Sequence, residues 1–442
     1  MKHTKRFFTL AVALAMTLSS CGAKKETEKS VEMPSDNPGG RQIMETESGY
    51  YYNNEEFLLS LRYSEKSTGA DIFLCPKPEC RHDGNESCTA TYNFSPITNT
   101  ILYDNYIYFV ADEKTKENLG YALYKVSLDG TTLDKVCDVA KIMNPNEDNY
   151  SGYGSMPQFI IHKGYAYIPY MFGSLLYGQY IQSGFVKVNI QTGEKEILFE
   201  ETEYKEGKEA TVIGGHGDYI YYSVRAQKPM YGGDFRMNVI TGETERLKGQ
   251  TQKGDNVYGL EKWPQIIAFG ESAFYVTKYY KETDSVSFAA IDYQTLKPNG
   301  VEIMPSEKNM GTRFVPYDDK LYVLGQKELK IYSEKGELIK AIPCEENQDN
   351  GYLNISSGDE GIWSSDTRTL AVNNDKIYIG IPKGENPFAI DEEVMTYCTI
   401  EDALNGNPEW ETAYETKSWD NYWKDYPTPK MLEKMQEQNF EE

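Results

Sequence analysis

The chain has 442 residues and a formal net charge of −23, from 68 acidic and 45 basic side chains. This acidic excess argues against a nucleic-acid-binding protein and against docking of the protein surface on anionic lipid. The 36 tyrosines and 17 phenylalanines provide large ring faces that can pack between structural units.

Residues 1–20 are predicted to be a signal peptide. A short basic segment precedes an apolar stretch from Phe7 to Leu18, which is too short to span a bilayer as a stable helix. The stretch ends in Leu18-Ser19-Ser20-Cys21-Gly22, which resembles a bacterial lipobox. The resemblance implies cleavage before Cys21 and lipid attachment to its thiol, and therefore an extracytoplasmic protein anchored on the outer face of the cell membrane. The alternative is an ordinary signal peptide followed by an incidental cysteine.

Residues 21–44 are predicted to form a flexible tether between the anchor and the folded body. They are rich in Lys, Glu, Ser, Pro and Gly and show no apolar periodicity. No later segment has 18 uninterrupted apolar residues, so the lipid is expected to be the sole membrane attachment.

Residues 45–415 carry a repeat of short aromatic strands. A tyrosine recurs three residues after a turn-forming residue, with successive steps of 59, 54, 54, 47 and 56 residues; these tyrosines are Tyr108, Tyr167, Tyr221, Tyr275, Tyr322 and Tyr378. Short strands that repeat at this spacing predict an all-β fold, a β-propeller, and we expect seven four-stranded blades.

The second repeat unit shows the pattern most clearly. Its strands are predicted at 98–103, 106–110, 121–128 and 133–136, with tight turns at Asp104-Asn105 and Asp129-Gly130. The first unit is predicted to be degenerate, with strands at 49–53, 57–63 and 70–74 and Leu59 in the place of the recurring tyrosine.

The sharpest local motif follows these strands. Cys75, Cys80, His82 and Cys88 lie within fourteen residues, and three thiols with one imidazole can reach one tetrahedral ion, so a structural zinc or iron site is predicted. The alternative is a disulfide staple or unreactive thiols, because six cysteines remain after Cys21 and an exported protein can pair them. Cys137, Cys344 and Cys398 would then be partners or lone thiols.

The lipobox and the cysteine loop, Leu74-Cys75 through Cys88, together resemble TolB-like and domain-of-unknown-function β-propeller surface lipoproteins of anaerobic Gram-positive bacteria. The resemblance covers most of residues 45–415. It implies a cell-surface location and carries over no catalytic residue.

Linear signatures of catalysis are missing from the sequence. There is no G-x-S-x-G elbow, no phosphate-binding glycine loop and no D-x-[DN]-x-[DN]-G calcium loop. His162 and His216 lie one repeat apart and are expected to be solvent-side turn residues rather than a catalytic pair.

The connections between strands are long and aromatic on one side of the predicted propeller. Tyrosine and tryptophan combine an apolar face with a hydrogen-bonding edge, which suits stacking on sugars or peptides. The candidate ligand-binding residues are Tyr153, Tyr177, Tyr231, Trp263 and Trp363.

The sequence favours a monomeric, non-catalytic propeller that binds a peptide, a glycan or a protein partner on its loop-rich face. A propeller glycosidase or lyase is the first alternative, because two funnel carboxylates leave no linear motif. An assembly factor for an envelope complex is the second. Residues 416–442 are predicted to form an aromatic tail with a short helix at 429–440.

Overall fold

A computed structural model describes most of the chain between residues 43 and 416. The described residues are 43–53, 59–80, 82, 88–92, 99–114, 119–141, 158–174, 179–201, 209–225, 233–247, 266–270, 273–280, 285–303, 313–325, 328–344, 369–383 and 392–416. Within them the strands form seven antiparallel sheets, which we number in chain order.

Six of these sheets are four-stranded meanders in which consecutive strands pair. Sheet 2 contains β6 (Thr100–Tyr103), β7 (Tyr106–Lys114), β8 (Leu119–Ser127) and β9 (Leu133–Lys141). Sheet 3 contains β10 (Ile160–His162), β11 (Tyr165–Ser174), β12 (Gln179–Asn189) and β13 (Lys195–Glu201). Sheet 4 contains β14 (Glu209–His216), β15 (Tyr219–Arg225), β16 (Gly233–Asn238) and β17 (Thr244–Arg246).

The remaining four-stranded sheets follow the same order. Sheet 5 contains β18 (Ile266–Phe269), β19 (Ala273–Tyr280), β20 (Ser285–Asp292) and β21 (Pro298–Ile303). Sheet 6 contains β22 (Arg313–Tyr317), β23 (Lys320–Leu324), β24 (Glu328–Ser333) and β25 (Leu338–Pro343). Sheet 7 contains β26 (Thr369–Asn373), β27 (Lys376–Lys383), β28 (Glu392–Thr399) and β29 (Glu411–Glu415).

Sheet 1 departs from this pattern. It contains β1 (Met44–Glu45), β2 (Gly49–Asn53), β3 (Leu59–Glu65), β4 (Asp71–Phe73) and β5 (Thr91–Tyr92), and both β4 and β5 pair with β3. The structure therefore has six regular four-stranded blades and not the predicted seven, because the N-terminal sheet has five strands and a divided outer strand. The cysteine loop divides its outer strand in two, because β4 pairs with residues 62–64 of β3 and β5 with residues 59–60.

The recurring tyrosine occupies one register in every sheet. Tyr108 pairs with Ile101, Tyr378 pairs with Ala371, and in sheet 1 Tyr51 pairs with Met44. Sheet 1 thus carries the tyrosine after all, and the assignment of Leu59 to this position is wrong. The two-residue strand β1 shifts the strand order by one, so 49–53 is the second strand and not the first. All seven tyrosines are buried.

Positive backbone φ angles confirm the hairpin turns that the sequence indicates. The pairs Asp104-Asn105, Asp318-Asp319 and Asn374-Asp375 all have φ between 47° and 62° at both positions. Two consecutive residues with positive φ make the turn whose twist matches the flanking strands, and Asn and Asp tolerate this conformation.

One hydrophobic cluster fills each junction between neighbouring sheets. Six clusters join successive sheets from sheet 1 to sheet 7, and a further cluster joins sheet 7 back to sheet 1 through residues that include Tyr50, Tyr52 and Tyr414. The first strands of sheets 2 to 7 contact one another in succession, so they line the centre of the arrangement. This order is that of a β-propeller.

A single six-residue helix lies within the described ranges, α1 (Ile400–Asn405), between β28 and β29. Thr399 caps its N-terminus by accepting a hydrogen bond from the Asp402 amide at 3.0 Å, and Gly406 ends it with a φ of 87°. The sequence pattern gave no indication of this short helix. The helix predicted at 429–440 lies outside the described residues.

Candidate metal centre

The split outer strand of sheet 1 brings the two ends of the cysteine loop together. Leu61 on β3 pairs with both of them: its amide donates to Ala90 O at 2.8 Å, and its carbonyl accepts from the Leu74 amide at 2.9 Å. The chain therefore leaves the sheet at Leu74, immediately before Cys75, and returns at Ala90, two residues after Cys88. Residues that are thirteen positions apart in sequence become neighbours because one residue holds both ends.

A tight turn returns the loop toward its origin. The Cys80 amide donates to Lys77 O at 3.1 Å, and His82 adopts a φ of 52°. The sulfur atoms of Cys75, Cys80 and Cys88 and a ring nitrogen of His82 all lie within 4.8 Å of one another. The structure thus brings together all four residues that the sequence predicted as one site.

Burial and hydrogen bonding distinguish the three thiols. Cys88 is buried, and its sulfur accepts from the Thr91 hydroxyl at 3.1 Å and the Thr91 amide at 3.4 Å. Its sulfur also lies 3.5 Å from Nδ1 of His82. Cys75 and Cys80 are partly exposed. No disulfide joins any of the six cysteines from Cys75 to Cys398, all of which lie in described parts of the chain.

The pKa values of two of the thiols shift in opposite directions. Burial raises the pKa of Cys75, but hydrogen bonds from the Lys77 and Thr89 backbone and the Thr89 hydroxyl outweigh it, so this pKa lies below its ordinary value. Burial and the neighbouring Cys88 and Cys75 thiols raise the pKa of Cys80 to about 12. A divalent cation within reach of the three sulfurs would stabilise them as thiolates.

A stack of side chains supports His82. Its ring stacks on Phe73 with 4.3 Å between centroids, and the guanidinium of Arg62 lies 4.5 Å from the centroid of the same Phe73 ring. Asp71 accepts hydrogen bonds from Arg62 at both carboxylate oxygens and one from the Tyr52 hydroxyl at 2.7 Å. This support was not predicted from the sequence. The cross-strand pair of Arg62 with Phe73 would have indicated it if the register of β3 and β4 had been predicted correctly.

The cluster also lies against the second sheet. Gly130, in the turn between β8 and β9, has a φ of 68°, and a Cβ atom there would lie 2.6 Å from Leu74 O and 3.2 Å from the Cys75 amide nitrogen. Cys75, Cys80 and Cys88 all pack on the hydrophobic cluster that sheets 1 and 2 share. An ion bound here would connect the cysteine loop to the junction between sheets 1 and 2.

The donor set fits a structural metal site. Three thiolates and one imidazole in tetrahedral reach match the ligand types and the number that structural zinc prefers, and ferrous iron accepts the same donors. Four protein ligands leave no open coordination position for a substrate. The Cys75, Cys80, His82, Cys88 cluster can therefore bind a metal ion as part of the fold.

The other residues that the sequence singled out have different outcomes. Tyr153, Tyr177, Tyr231, Trp263, Trp363 and Cys21 lie outside the described residues. His162 is buried, not on the solvent side as expected, and its Nε2 lies 3.0 Å from Gly217 O of the next sheet. His216 stacks on Tyr293 of the next sheet at 4.1 Å between centroids. Both histidines therefore lie at junctions between neighbouring sheets.

The first strands of the sheets offer few acidic side chains that could catalyse glycoside hydrolysis. Among their described residues (β1, β6, β10, β14, β18, β22 and β26), Glu45 and Glu209 are the two acidic ones. Glu45 forms ion pairs with two lysines.

No helix in the described part of the chain has the length and hydrophobicity needed to span a membrane.

Comparisons with known proteins indicate the fold. No protein-family model and no curated protein matches the chain. Among solved structures, prolyl oligopeptidase B from Galerina marginata aligns with a TM-score of 0.52 at 9% identity, over 87% of this chain and 52% of its own. The β-propeller domain of the Trilobed protease from Pyrococcus furiosus aligns with a TM-score of 0.43 at 12% identity, over 90% and 99%.

A third similar structure belongs to another class of protein. The α-L-arabinanase of Penicillium chrysogenum aligns with a TM-score of 0.39 at 12% identity, over 85% of this chain and 98% of its own. The chain spans about half the length of the prolyl peptidases that it matches. At identities this low, the alignments show a likeness of fold and nothing about activity.

Proposed function

We propose that this protein is a membrane-tethered β-propeller that binds a partner without catalysis, and that a structural metal ion fastens its N-terminal sheet. The observation that carries the metal site is the convergence of four ligand atoms within 4.8 Å in a loop that replaces a continuous outer strand, while the anchor and the partner rest on the sequence. A metal at this position would supply cross-links where the strand ladder is interrupted.

The metal is zinc or iron, held by Cys75, Cys80, His82 and Cys88. The test is elemental analysis with a free-thiol count on the full chain purified without chelators. We expect about one zinc or iron ion per chain, and its loss in Cys88→Ser. Cys137→Ser is the matched control, because Cys137 is a partly buried thiol outside the cluster, and it should keep the ion. A metal-free wild-type chain would contradict the proposal.

Lipid attachment at Cys21 is the proposed mode of membrane anchoring. The support is the lipobox resemblance and the polar segment that follows it. In cells that make the full chain, we expect a radiolabelled fatty acid to enter the wild-type protein and not Cys21→Ser. Equal labelling of both proteins would refute the anchor.

Partner binding is proposed for the loop-rich face, with a peptide, a glycan or a protein as ligand. Aromatic side chains such as Tyr153, Trp263 and Trp363 supply stacking surfaces in that sequence context. Screening of the full chain against peptide and glycan arrays should identify one ligand class. Trp263→Ala should weaken its binding by about tenfold or more. Turnover of a glycan, rather than binding, would favour the enzyme alternative.

The N-terminal sheet is proposed to act as a seventh blade that closes the ring. Its support is the hydrophobic cluster that joins it to sheet 7 and the equivalent register of Tyr51. Electron micrographs of the particle viewed along its axis should show seven radial densities. Six densities with a gap would reject this part of the proposal.

A further inference from the structure

The cysteine cluster holds two kinds of thiol that differ in access. Cys88 is 2% exposed and its sulfur accepts two hydrogen bonds from Thr91, whereas Cys75 and Cys80 are partly exposed. A small oxidant arriving from solvent therefore reaches the Cys75 and Cys80 sulfurs before that of Cys88. Thiolates that are accessible and adjacent to another thiol are the ones that oxidise reversibly.

The loop geometry also favours this pair. Four residues separate Cys75 from Cys80, and the turn closed by the bond from the Cys80 amide to Lys77 O brings the second sulfur back toward the first. The two sulfurs lie within the 4.8 Å that spans the whole cluster, so a modest side-chain movement brings them to bonding distance. Cys88 is by contrast held by the backbone beside β5.

We propose that metal binding and a Cys75–Cys80 disulfide are alternative states of this cluster, exchanged by a peroxide oxidant. The inference rests on the metal site of the proposed function and adds its regulation. In the reaction, one thiolate attacks the peroxide O–O bond to give a sulfenic acid and release hydroxide. The second thiolate then attacks that sulfur and releases a second hydroxide.

The electrons and atoms balance without any change in the metal. The two sulfurs lose two electrons in total, hydrogen peroxide gains them and, with two protons, becomes two water molecules. A zinc ion keeps its charge and is expelled, because His82 and Cys88 alone leave it with two protein ligands instead of four. A thiol reductant reverses the reaction and restores the ligands.

The expected output is a loosened outer strand in sheet 1. Cys88 lies three residues before β5 and bonds to Thr91, which belongs to it. When the ion leaves, the link from β5 through Cys88 to the other three ligands is lost, while the pairing of β5 with residues 59–60 and the bond from the Leu61 amide to Ala90 O remain. The oxidised protein therefore gains a weak point at the first sheet, while the sheets that do not contact the cysteine loop are unaffected.

The test uses the full chain loaded with zinc under reducing conditions and then freed of reductant. Excess hydrogen peroxide is added, zinc release is followed with a chromogenic chelator, and disulfides are mapped by peptide mass spectrometry. We expect loss of the bound zinc, a Cys75–Cys80 disulfide, and rebinding of zinc after reduction. Cys137→Ser should release zinc at the wild-type rate, because that thiol is outside the cluster.

The outcomes separate the two proposals. A chain that binds neither zinc nor ferrous iron refutes the metal site itself. A chain that binds zinc but retains it under peroxide overturns only the inference of a switch. Zinc loss with Cys75 and Cys80 recovered as sulfonic acids, or bonded to other cysteines, overturns it as well.

Discussion

The seven equivalent tyrosines differ in what their hydroxyl groups contact. Tyr51 donates to Leu128 O of sheet 2 at 3.1 Å, and Tyr378 donates to the Glu45 carboxylate of sheet 1 at 2.6 Å. The hydroxyls of Tyr167, Tyr275 and Tyr322 are buried and have no hydrogen-bond partner within the described chain. One aromatic position therefore serves the same packing role with unequal polar contributions.

This difference predicts opposite results from one substitution. Tyr378→Phe should lower the free energy of unfolding by about 2 kcal/mol, because a hydrogen bond to a charged group is lost. Tyr322→Phe is the matched control and should leave stability unchanged or raise it, since it removes a buried hydroxyl with no protein partner. Urea denaturation of both variants measures the contrast, and equal losses would contradict it.

Four side chains bond to the carboxylate of Glu45. Lys66 and Lys376 each lie 2.7 Å from its Oε1, Tyr378 donates to Oε2, and Asn374 donates to Oε2 at 3.2 Å. Burial opposes ionisation of Glu45, but these hydrogen bonds outweigh it and hold its pKa at about 2. The charged form is therefore the one that the fold stabilises.

The lowered pKa gives stability a defined pH dependence. A carboxyl whose pKa falls from 4.5 to about 2 on folding contributes fully above pH 4.5 and loses its contribution as pH falls toward 2. Glu45→Gln should therefore cost about 2 kcal/mol at pH 7, and the difference from wild type should shrink between pH 5 and pH 2. Denaturant titrations at several pH values test this, and a constant difference would refute it.

At the scale of single elements, the hairpin between β8 and β9 is the contact that fixes the cysteine loop from outside. Gly130→Ala should destabilise the protein through its positive φ and through a Cβ contact with Leu74 O. Gly242→Ala is the control, because Gly242 has a φ of 74° in the matching turn of sheet 4 and nothing within 4 Å of its Cβ position.

Both glycine variants share a backbone cost of about 1 kcal/mol, so the difference between them isolates the close contact. We expect the Gly130 variant to lose at least about 1 kcal/mol more and to bind zinc more weakly. Thermal unfolding and competition with a metallochromic chelator measure the two effects. Equal behaviour of the two variants would show that the hairpin does not position the loop.

The regular hairpins were predictable because their chemistry is local. Asp104-Asn105 and Asn374-Asp375 adopt the positive φ angles that these residues favour, and the tyrosine spacing follows from repeated turns. Sheet 1 was misregistered because β1 has two residues and no periodicity to detect. Its divided outer strand depends on Leu61 pairing with two distant segments, which local sequence does not encode.

The four metal ligands were predictable for a related reason, since they are close in sequence. The residues that orient them come from other strands. Arg62 and Phe73 are partners across the β3–β4 ladder, and Gly130 approaches from the next sheet. Such support depends on tertiary packing, which spacing along the chain does not reveal.

At the scale of the whole molecule, side chains join sheet 7 to sheet 1, and no strand is exchanged between these two sheets in the described residues. Sheets 1 and 7 each draw their strands from one end of the chain. Tyr52 stacks on Tyr414 with 4.5 Å between centroids, and Asn373 donates to Ile43 O at 3.1 Å. Each sheet thus depends on its two neighbours, as in other repeat architectures.

This nearest-neighbour organisation predicts a local response to metal removal. Chelation should increase amide hydrogen exchange in β4, β5 and the β8–β9 turn, because these segments contact the cysteine loop. Exchange in sheets 5 and 6 should stay unchanged, since they share no cluster with sheet 1. Mass spectrometry of exchange with and without chelator distinguishes this from a global loss of protection.

Because side chains alone join sheet 7 to sheet 1 in the described residues, we expect the arrangement of the sheets not to depend on which sheet comes first along the chain. Ile43 and Thr416, near the two ends of the described residues, belong to sheets that already touch. A linker between them would make the same kind of connection, from the last strand of one sheet to the first strand of the next, that joins the other sheets, and new termini could open in any connection between two intact sheets. The chain should therefore tolerate circular permutation, in which the junction between sheets 1 and 7 is spanned by a covalent connection like those between the other sheets.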